Sequence, residues 1–461
     1  MTTRASRSSS PGLSLVLLII LFGTLWLSGG ASRADVLGQV IARSVSWGVL
    51  VVAIIFGMRP RLAEAKPVLL LLLATTGLVL LQLIPLPPGV WQALPGRALF
   101  TEAGIASAQP QPWRPLAIVP GAAINAAGSL IVPIATYVLL VSLRASDRRW
   151  IPVMMLVLVV ATTFVGILQF SGTHFNNLLV NDTPGEVSGT FANRNHFALF
   201  IAMGCVIVPT WAFLNDRSPH WRAPGAFGLT ILLALTILAS GSRAGLALGA
   251  IGIACGLFIV RKRIRRLLSR YPRWVFWALI AGIVALVAIF ILISVAAARA
   301  VAINRMRAMD PGQDMRSRGF PVVLHMMGTY FPVGSGFGGF DPLFRLHEPF
   351  ELLKPTYFNH AHNDWLEILL DGGLPGALLL AAAVIWWTLA SIRAWRDRSG
   401  GARMLARVGS TWIGLVFAAS IFDYPARTPM VMAAIVIAAW WLHGEGGQAA
   451  ASALPGDDQH L

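Results

Sequence analysis

The stretch WIPVMMLVLVVATTFVGILQF, residues 150–170, decides the fold class of this chain because it contains no charged residue. A helix needs about 17–25 mostly apolar residues to cross the ~30 Å hydrocarbon core of a bilayer. Similar stretches recur along the whole sequence. They predict twelve membrane helices, near residues 13–28, 37–57, 67–84, 121–143, 150–170, 195–214, 225–241, 243–260, 274–298, 366–391, 405–422 and 428–443.

The composition of the 461-residue chain supports this interpretation. Hydrophobic residues make up 56% of the chain and charged residues only 12%, whereas a soluble domain has roughly 45–50% apolar and about 25% charged residues. The chain therefore lacks the charge to cover a water-exposed surface of its size. The same composition excludes disorder and collagen-like repeats. We predict an all-α integral membrane protein.

The net charge of +16 fits a membrane topology better than nucleic-acid binding. If the N-terminus is cytoplasmic, 22 of the 36 Lys and Arg residues fall in cytoplasmic segments and 7 in short external ones. This is the positive-inside bias of membrane proteins. The basic segment at 261–273 lies between membrane helices, so we interpret it as a contact with anionic lipid.

Four segments follow from this topology. Membrane helices occupy 1–298 and 366–443, an external loop occupies 299–365, and a cytoplasmic tail occupies 444–461. A loop this long is usually functional, so we expect it to carry part of the active site. The first helix is either retained, which we favour, or a cleaved signal peptide that follows Arg4 and Arg7.

The densest polar cluster is FNHAHNDWLEILLDGG at 358–373, where the loop enters a helix. His362 and Asp364 are its nearest acid/base pair by sequence. An imidazole, with a pKa of about 6.5, can take a proton from a hydroxyl at neutral pH. Alternatively, Asn363 or Asp364 caps the following helix and the histidines lie at the membrane interface. Both interpretations stay open.

Three short external turns also carry arginine. They are GTFANRNHFA (189–198) with Arg194, SGSRAG (240–245) with Arg243, and FDYPARTP (422–429) with Asp423 and Arg427. A guanidinium suits phosphate, and the start of a helix attracts anions. Any one of these arginines could equally extend to lipid headgroups. Together they favour a bound pyrophosphate, but the sequence does not show that the turns converge.

Two weaker signals have structural interpretations. GSGFGG at 334–339 matches a dinucleotide-binding pattern but lacks the strand–helix context, so we expect a tight turn or a close backbone approach. Cys205 and Cys255 lie in apolar runs and are expected to be small buried side chains rather than metal ligands.

His362-Asn363, nine further residues and Gly373-Leu374-Pro375-Gly376 form the pattern H-N-x9-G-x-x-G. This pattern, at the end of a late external loop in a chain of about twelve helices, resembles the O-antigen ligase / O-antigen polymerase superfamily. That superfamily also includes protein O-oligosaccharyltransferases. The resemblance implies a GT-C-like fold, with a large periplasmic loop between helices 9 and 10, in the bacterial inner membrane.

The resemblance also implies a metal-independent, inverting glycosyltransferase without a cofactor. Its donor would be an undecaprenyl-diphosphate-linked glycan. Its acceptor would be lipid A-core in a ligase, the growing glycan in a polymerase, or a protein hydroxyl. Membrane lipids are expected neighbours, whereas nucleic acid is not an expected partner. The alternative from another class is a transporter or lipid-linked glycan flippase.

The resemblance assigns roles to particular residues. The histidine of the motif, His362, would activate the acceptor hydroxyl, and His360 and Asp364 are further catalytic candidates. The lipid diphosphate would be held by periplasmic arginines, for which the candidates are Arg194, Arg243, Arg318 and Arg427.

Overall fold

The computed structural model of the protein describes residues 11–173, 177–181, 185–214, 221–269, 315–353, 358–396 and 402–444, with a few single positions between 183 and 285. These residues are mostly helical. The helices are α1 Leu13–Ser28, α2 Leu37–Phe56, α3 Lys66–Leu81, α4 Pro88–Gln92, α5 Ala98–Ala106, α6 Pro120–Ser129, α7 Ile131–Val141, α8 Trp150–Phe170, α9 Arg194–Ala212, α10 Arg222–Ala239, α11 Arg243–Leu268, α12 Met315–Tyr330, α13 Phe340–His347, α14 Asp364–Arg396, α15 Ala402–Ala419 and α16 Pro429–His443.

Eleven of the twelve predicted helices are present close to their predicted bounds, with α6 and α7 in tandem forming the one at 121–143. The twelfth, at 274–298, and the tail after residue 444 lie essentially outside the described residues. Within the described ranges, eight helices are long and apolar enough to cross a membrane, and α1 and α16 are apolar but shorter. The chain is therefore a multi-pass helical membrane protein. The count of twelve spans and the GT-C-like fold stay predictions.

The centre of the bundle is α9, which is buried on all sides. A helix that is apolar all round belongs in the core rather than on a surface. Its closest neighbour is α11, whose glycines let the two backbones approach. A Cβ at Gly252 would lie 2.6 Å from the carbonyl oxygen of Ala202, and one at Gly256 would lie 2.6 Å from that of Cys205. Small residues allow such close packing of membrane helices.

The bundle has two chemically different ends. We call the end where residues 29–36, 185–193 and 420–428 lie the site end. At the opposite end, Arg148 forms a buried ion pair with Glu64 at 2.6 Å, and Glu64 also accepts a hydrogen bond from Trp440. Most basic side chains of the described residues also lie at that opposite end.

The predicted loop 299–365 is folded where it is described. Helices α12 and α13 and a short 3-10 helix at Phe350–Leu352 surround their own apolar cluster, which includes Met326, Phe340 and Phe344. This cluster packs at the site end, against the start of α14. The described part of the loop therefore forms a small cap on the bundle.

A second segment of the site end, residues 82–119, contains α4, α5 and a strand pair, β1 Pro85–Leu86 with β2 Arg114–Pro115. Arg97, fully buried, donates hydrogen bonds to the carbonyl oxygens of Pro95, Leu116 and Gly334. Burial lowers the pKa of Arg97 to about 10. This arginine thus fastens the segment to the glycine turn at 334–339, which is a close backbone approach as expected.

Candidate active site

His362 pairs with a carboxylate from a distant turn. Its Nδ1 lies 3.2 Å from Oδ1 of Asp423, and its ring contacts those of Phe358 and Tyr424 at centroid distances of 5.1 and 4.9 Å. If Nδ1–H donates to this carboxylate, Nε2 carries the lone pair and can accept a proton. The partner carboxylate of His362 is thus Asp423, not Asp364, which is the nearest in sequence.

Asp423 also joins the starts of two membrane helices. Its Oδ2 accepts hydrogen bonds from Nδ2 of Asn193 at 2.9 Å and from Nδ2 of Asn195 at 2.7 Å. Asn195 in turn accepts a hydrogen bond from Ser242 Oγ at 2.6 Å. Asn193 caps α9 and Ser242 caps α11. The three predicted arginine turns therefore do converge, and they meet beside His362.

A second buried histidine, His196, lies close to the carboxylate of Asp423. Nε2 of His196 is 3.8 Å from Oδ1 of Asp423, and its Nδ1 is 3.1 Å from Oγ1 of Thr428. Burial raises the pKa of Asp423, but its contacts with His196 and His362 outweigh this and hold the pKa well below its usual value. Asp423 is therefore ionised at neutral pH and can stabilise a positive charge on His362.

His360 forms a similar pair with another carboxylate. Its Nδ1 lies 2.9 Å from Oε1 of the fully buried Glu367, whose Oε2 accepts the backbone N–H of Ala361 at 2.8 Å. The ring of Tyr424 contacts His360 at 4.3 Å as well as His362. The site thus contains two histidine–carboxylate pairs that share one tyrosine.

Arg427 is held by three carboxylates of α14. Its guanidinium lies 3.3 Å from Asp364, 3.2 Å from Glu367 and 3.6 Å from Asp371. These residues recur on one face of the helix because 3.6 residues make a turn. Burial by itself would lower the pKa of Arg427. The three carboxylates raise it by more than burial lowers it, so the pKa lies above its usual value. Asp364 also accepts a hydrogen bond from Ser420 Oγ at 3.0 Å. Asp364 is therefore a positioning group for this turn.

The spacing H-N-x9-G has a local structural reason. Asn363 caps α14 by accepting the backbone N–H of Leu366 at 3.1 Å, and its Nδ2 donates to the carbonyl oxygen of Ile421 at 3.0 Å. The capping interpretation is therefore correct for Asn363. Ten residues later, Gly373 interrupts the helix with φ 56° and ψ −145°. A Cβ there would lie 2.3 Å from the carbonyl oxygen of Pro332. The motif thus starts a helix at the site and bends it where the glycine turn packs.

A cavity of about 580 Å³ opens beside this network. It is bounded by the loop 29–36, by α2, α3, α6 and α13, and by the start of α14. The site residues His360, Asp364 and Arg427 line it, whereas His362 does not. Four arginines are among the lining side chains: Arg33, Arg43, Arg345 and Arg427.

The other predicted arginines lie outside this cavity. Arg194, the first residue of α9, is 36% exposed and lies 3.6 Å from Glu186. Arg243, the first residue of α11, is exposed and has no hydrogen bond or ion pair with the described residues. Arg318 donates to the carbonyl oxygen of Glu351 at 2.9 Å. Through their neighbours Asn195 and Ser242, Arg194 and Arg243 adjoin the network of Asp423, whereas Arg318 belongs to the cap.

Two functional candidates escaped the sequence interpretation. The sequence places Asp423 in a turn with Arg427 but does not pair it with His362, because 61 residues separate the two. Arg43 lies within α2, in the predicted membrane helix at 37–57. An arginine inside a predicted membrane helix is itself a signal of function, and it could have identified this residue from the sequence.

The described parts of the chain contain neither a disulfide nor a group of side chains that could hold a metal ion. Cys205 and Cys255 are both free, and no three His, Cys, Asp or Glu side chains in these parts are grouped as a metal site requires. Whether the reaction is metal-independent stays a prediction from the resemblance.

Residues 228–381 match the family model for O-antigen ligase. The matched region runs from α10 through the cap to the first half of α14, and it contains His360, His362, Asp364 and the Gly373 kink. No curated protein matches the chain significantly. The family match confirms the resemblance that the histidine motif indicated.

Proposed function

We propose, on the premise of the O-antigen ligase family match over residues 228–381, that the chain is a member of the O-antigen ligase / O-antigen polymerase superfamily and transfers a glycan from an undecaprenyl-diphosphate-linked donor to an acceptor hydroxyl. The observation that carries the proposal is the network joining His362, Asp423 and the starts of α9 and α11. This network brings together a histidine that can act as a base, the carboxylate that pairs with it, and the N-termini of two helices that each begin with an arginine.

In the proposed reaction the acceptor oxygen attacks the anomeric carbon of the donor sugar. Nε2 of His362 takes the hydroxyl proton as the new carbon–oxygen bond forms. The bond from the anomeric carbon to the diphosphate oxygen breaks, and its electron pair leaves with the lipid diphosphate. Asp423 stabilises the resulting imidazolium. A single displacement of this kind inverts the configuration at the anomeric carbon.

We assign the lipid diphosphate to the side of the network formed by α9 and α11. Arg194 and Arg243 are the first residues of these helices; Arg194 is partly exposed and Arg243 is exposed. Guanidinium groups and free helix N–H groups can neutralise the charge that develops on the leaving diphosphate. Arg318 and Arg427 remain weaker candidates, because Arg318 lies in the cap and Arg427 is bound by carboxylates.

We place the site on the periplasmic face of a bacterial inner membrane. The concentration of basic side chains at the opposite end of the bundle supports this orientation, because cytoplasmic segments carry the excess of Lys and Arg. The favoured acceptor is a glycan such as lipid A-core, as in a ligase. A polymerase, with the growing glycan as acceptor, would use the same chemistry.

The test is transfer by purified protein with His362→Ala. We expect transfer to fall by about 100-fold or more, which is the usual contribution of a general base. His325→Ala, an exposed histidine on α12, is the matched control and should transfer normally.

Two outcomes would contradict the proposal. Normal transfer by His362→Ala together with loss in His360→Ala would make His360 the base. Movement of lipid-linked glycan across liposomes by wild-type protein, with no transfer under any condition, would favour a flippase instead.

A further inference from the structure

Three of the four arginines around the cavity of about 580 Å³ are paired with carboxylates. Arg33 pairs with Asp35, Arg345 with Asp341, and Arg427 with the acids of α14. Each of these three arginines therefore has at least one carboxylate partner within the protein.

Arg43 is the exception. Its Nη1 donates to Oδ1 of Asn125 at 2.6 Å and its Nη2 to Oε1 of Gln39 at 3.1 Å, and both of these partners are neutral amides. Its Nε is buried and has no hydrogen-bond partner. Among the residues that the structure describes, no carboxylate forms an ion pair with Arg43.

Arg43 lies inside a membrane helix, where a positive charge without a carboxylate partner is energetically unfavourable. It lies six residues into α2, about 9 Å along the helix from Leu37. A cation inside a membrane helix is expensive and usually faces a polar cavity or a ligand. An unbalanced guanidinium that lines a cavity and has only neutral partners is arranged to receive an anion.

We infer that this cavity binds the acceptor through an anionic group, a carboxylate or phosphate, with Arg43 as its anchor. The inference rests on the proposed transfer reaction and names the substrate class that the site selects. The acceptor would be an acidic glycan rather than a neutral one.

The arrangement of the site favours the acceptor over the donor. The proposed diphosphate arginines, Arg194 and Arg243, begin α9 and α11 and do not line the cavity. His362 contacts the α9–α11 network through Asp423, and it is two residues from His360, which does line the cavity. A transferase must bring two substrates to its base from different directions. With the donor diphosphate assigned to α9 and α11, the cavity with Arg43 is the place from which the acceptor would approach the base.

The test uses purified protein in nanodiscs and a matched pair of acceptor probes, cellobiouronic acid and cellobiose. Arg43→Gln should raise the KM for the acidic probe by about tenfold or more, because a charge-assisted hydrogen bond is lost. The KM for the lipid-linked donor and the kcat should stay unchanged, and the neutral probe should bind equally weakly to both proteins.

A second variant covers the case in which Arg43→Gln does not fold. Asn125→Asp keeps the arginine but places a carboxylate against its Nη1, so it should raise the KM for the acidic probe in the same way. Arg114→Gln is the control, since this arginine lies at the same end of the bundle outside the cavity.

Three results would overturn the inference. The first is a higher KM for the donor, which would assign the anion to the diphosphate. The second is an unchanged KM for the acidic probe in both variants. The third is dependence on anionic phosphatidylglycerol rather than on the acceptor charge, compared with phosphatidylcholine nanodiscs, which would make Arg43 a lipid contact.

Direct binding separates this inference from the reaction itself. The His362→Ala protein should bind cellobiouronic acid with the same affinity as wild type, and adding Arg43→Gln should weaken this binding about tenfold. Arg43-dependent binding by a wild-type protein that transfers nothing would contradict the proposed function only. Transfer without Arg43-dependent binding would contradict this inference only.

Discussion

At the scale of single residues, Asp423 is the centre of the site. One carboxylate accepts hydrogen bonds from Asn193 and Asn195 and contacts both His196 and His362. Its pKa is held well below its usual value, because these contacts outweigh burial. The stabilisation they provide is present above the ordinary carboxyl pKa of about 3.9 and is lost only as the pH falls through the lower folded-state value. The network should therefore persist throughout the neutral range.

We predict that Asp423→Asn lowers kcat by about 100-fold, because the ring of His362 loses its orienting and stabilising charge. The acid limb of the pH–kcat profile should also move to lower pH, since the carboxylate that favours the protonated ring is gone. The measurement is residual transfer between pH 5 and 9. Glu102→Gln, an exposed acid at the same end, is the control. An unchanged profile in Asp423→Asn would show that this carboxylate does not position the base.

At the scale of secondary structure, the site depends on the bend in α14. Gly373 adopts φ 56° and ψ −145°, and the next residue donates its N–H to the carbonyl oxygen of Pro332 at 2.8 Å. The glycine turn then binds Asp371, whose Oδ2 accepts the N–H of Gly338 at 3.2 Å. The bend thus couples the helix that bears the histidine motif to the cap.

We predict that Gly373→Ala destabilises the protein by about 2 kcal/mol or more. A side chain disfavours this backbone conformation, and its Cβ would meet the carbonyl oxygen of Pro332 at 2.3 Å. Thermal unfolding in detergent should show a lower Tm, together with reduced transfer. Gly77→Ala in α3 is the control, because nothing lies within 4 Å of its added Cβ. Equal Tm values for the two variants would rule out this role of the bend.

At the scale of the whole molecule, the two ends of the helix bundle carry different groups. The site end carries the cap, the histidines and the cavity. The opposite end carries most of the basic side chains that the structure describes, and the buried pair of Arg148 with Glu64. Under the proposed orientation, most of the positive charge of the described residues would face the cytoplasm.

Cysteine labelling tests the orientation. Ser107→Cys at the site end and Ala145→Cys at the opposite end both replace exposed residues. In intact spheroplasts, a membrane-impermeant maleimide should label Ser107→Cys and leave Ala145→Cys unlabelled until the membrane is permeabilised. The unmodified protein is the control, because Cys205 and Cys255 lie within membrane helices. The reverse pattern would place the site in the cytoplasm.

The sequence by itself determined the membrane class and the positions of eleven helices, and it singled out the histidine motif that carries the family resemblance. These properties depend on local runs of apolar residues or on fixed spacings, which can be identified in one dimension. The tertiary structure alone decided that Asp423 is the partner of His362, that three arginine turns converge, and that Arg43 faces a cavity. Those contacts join residues far apart in the chain, and only the packing of α2, α9, α11 and α14 against one another brings them together.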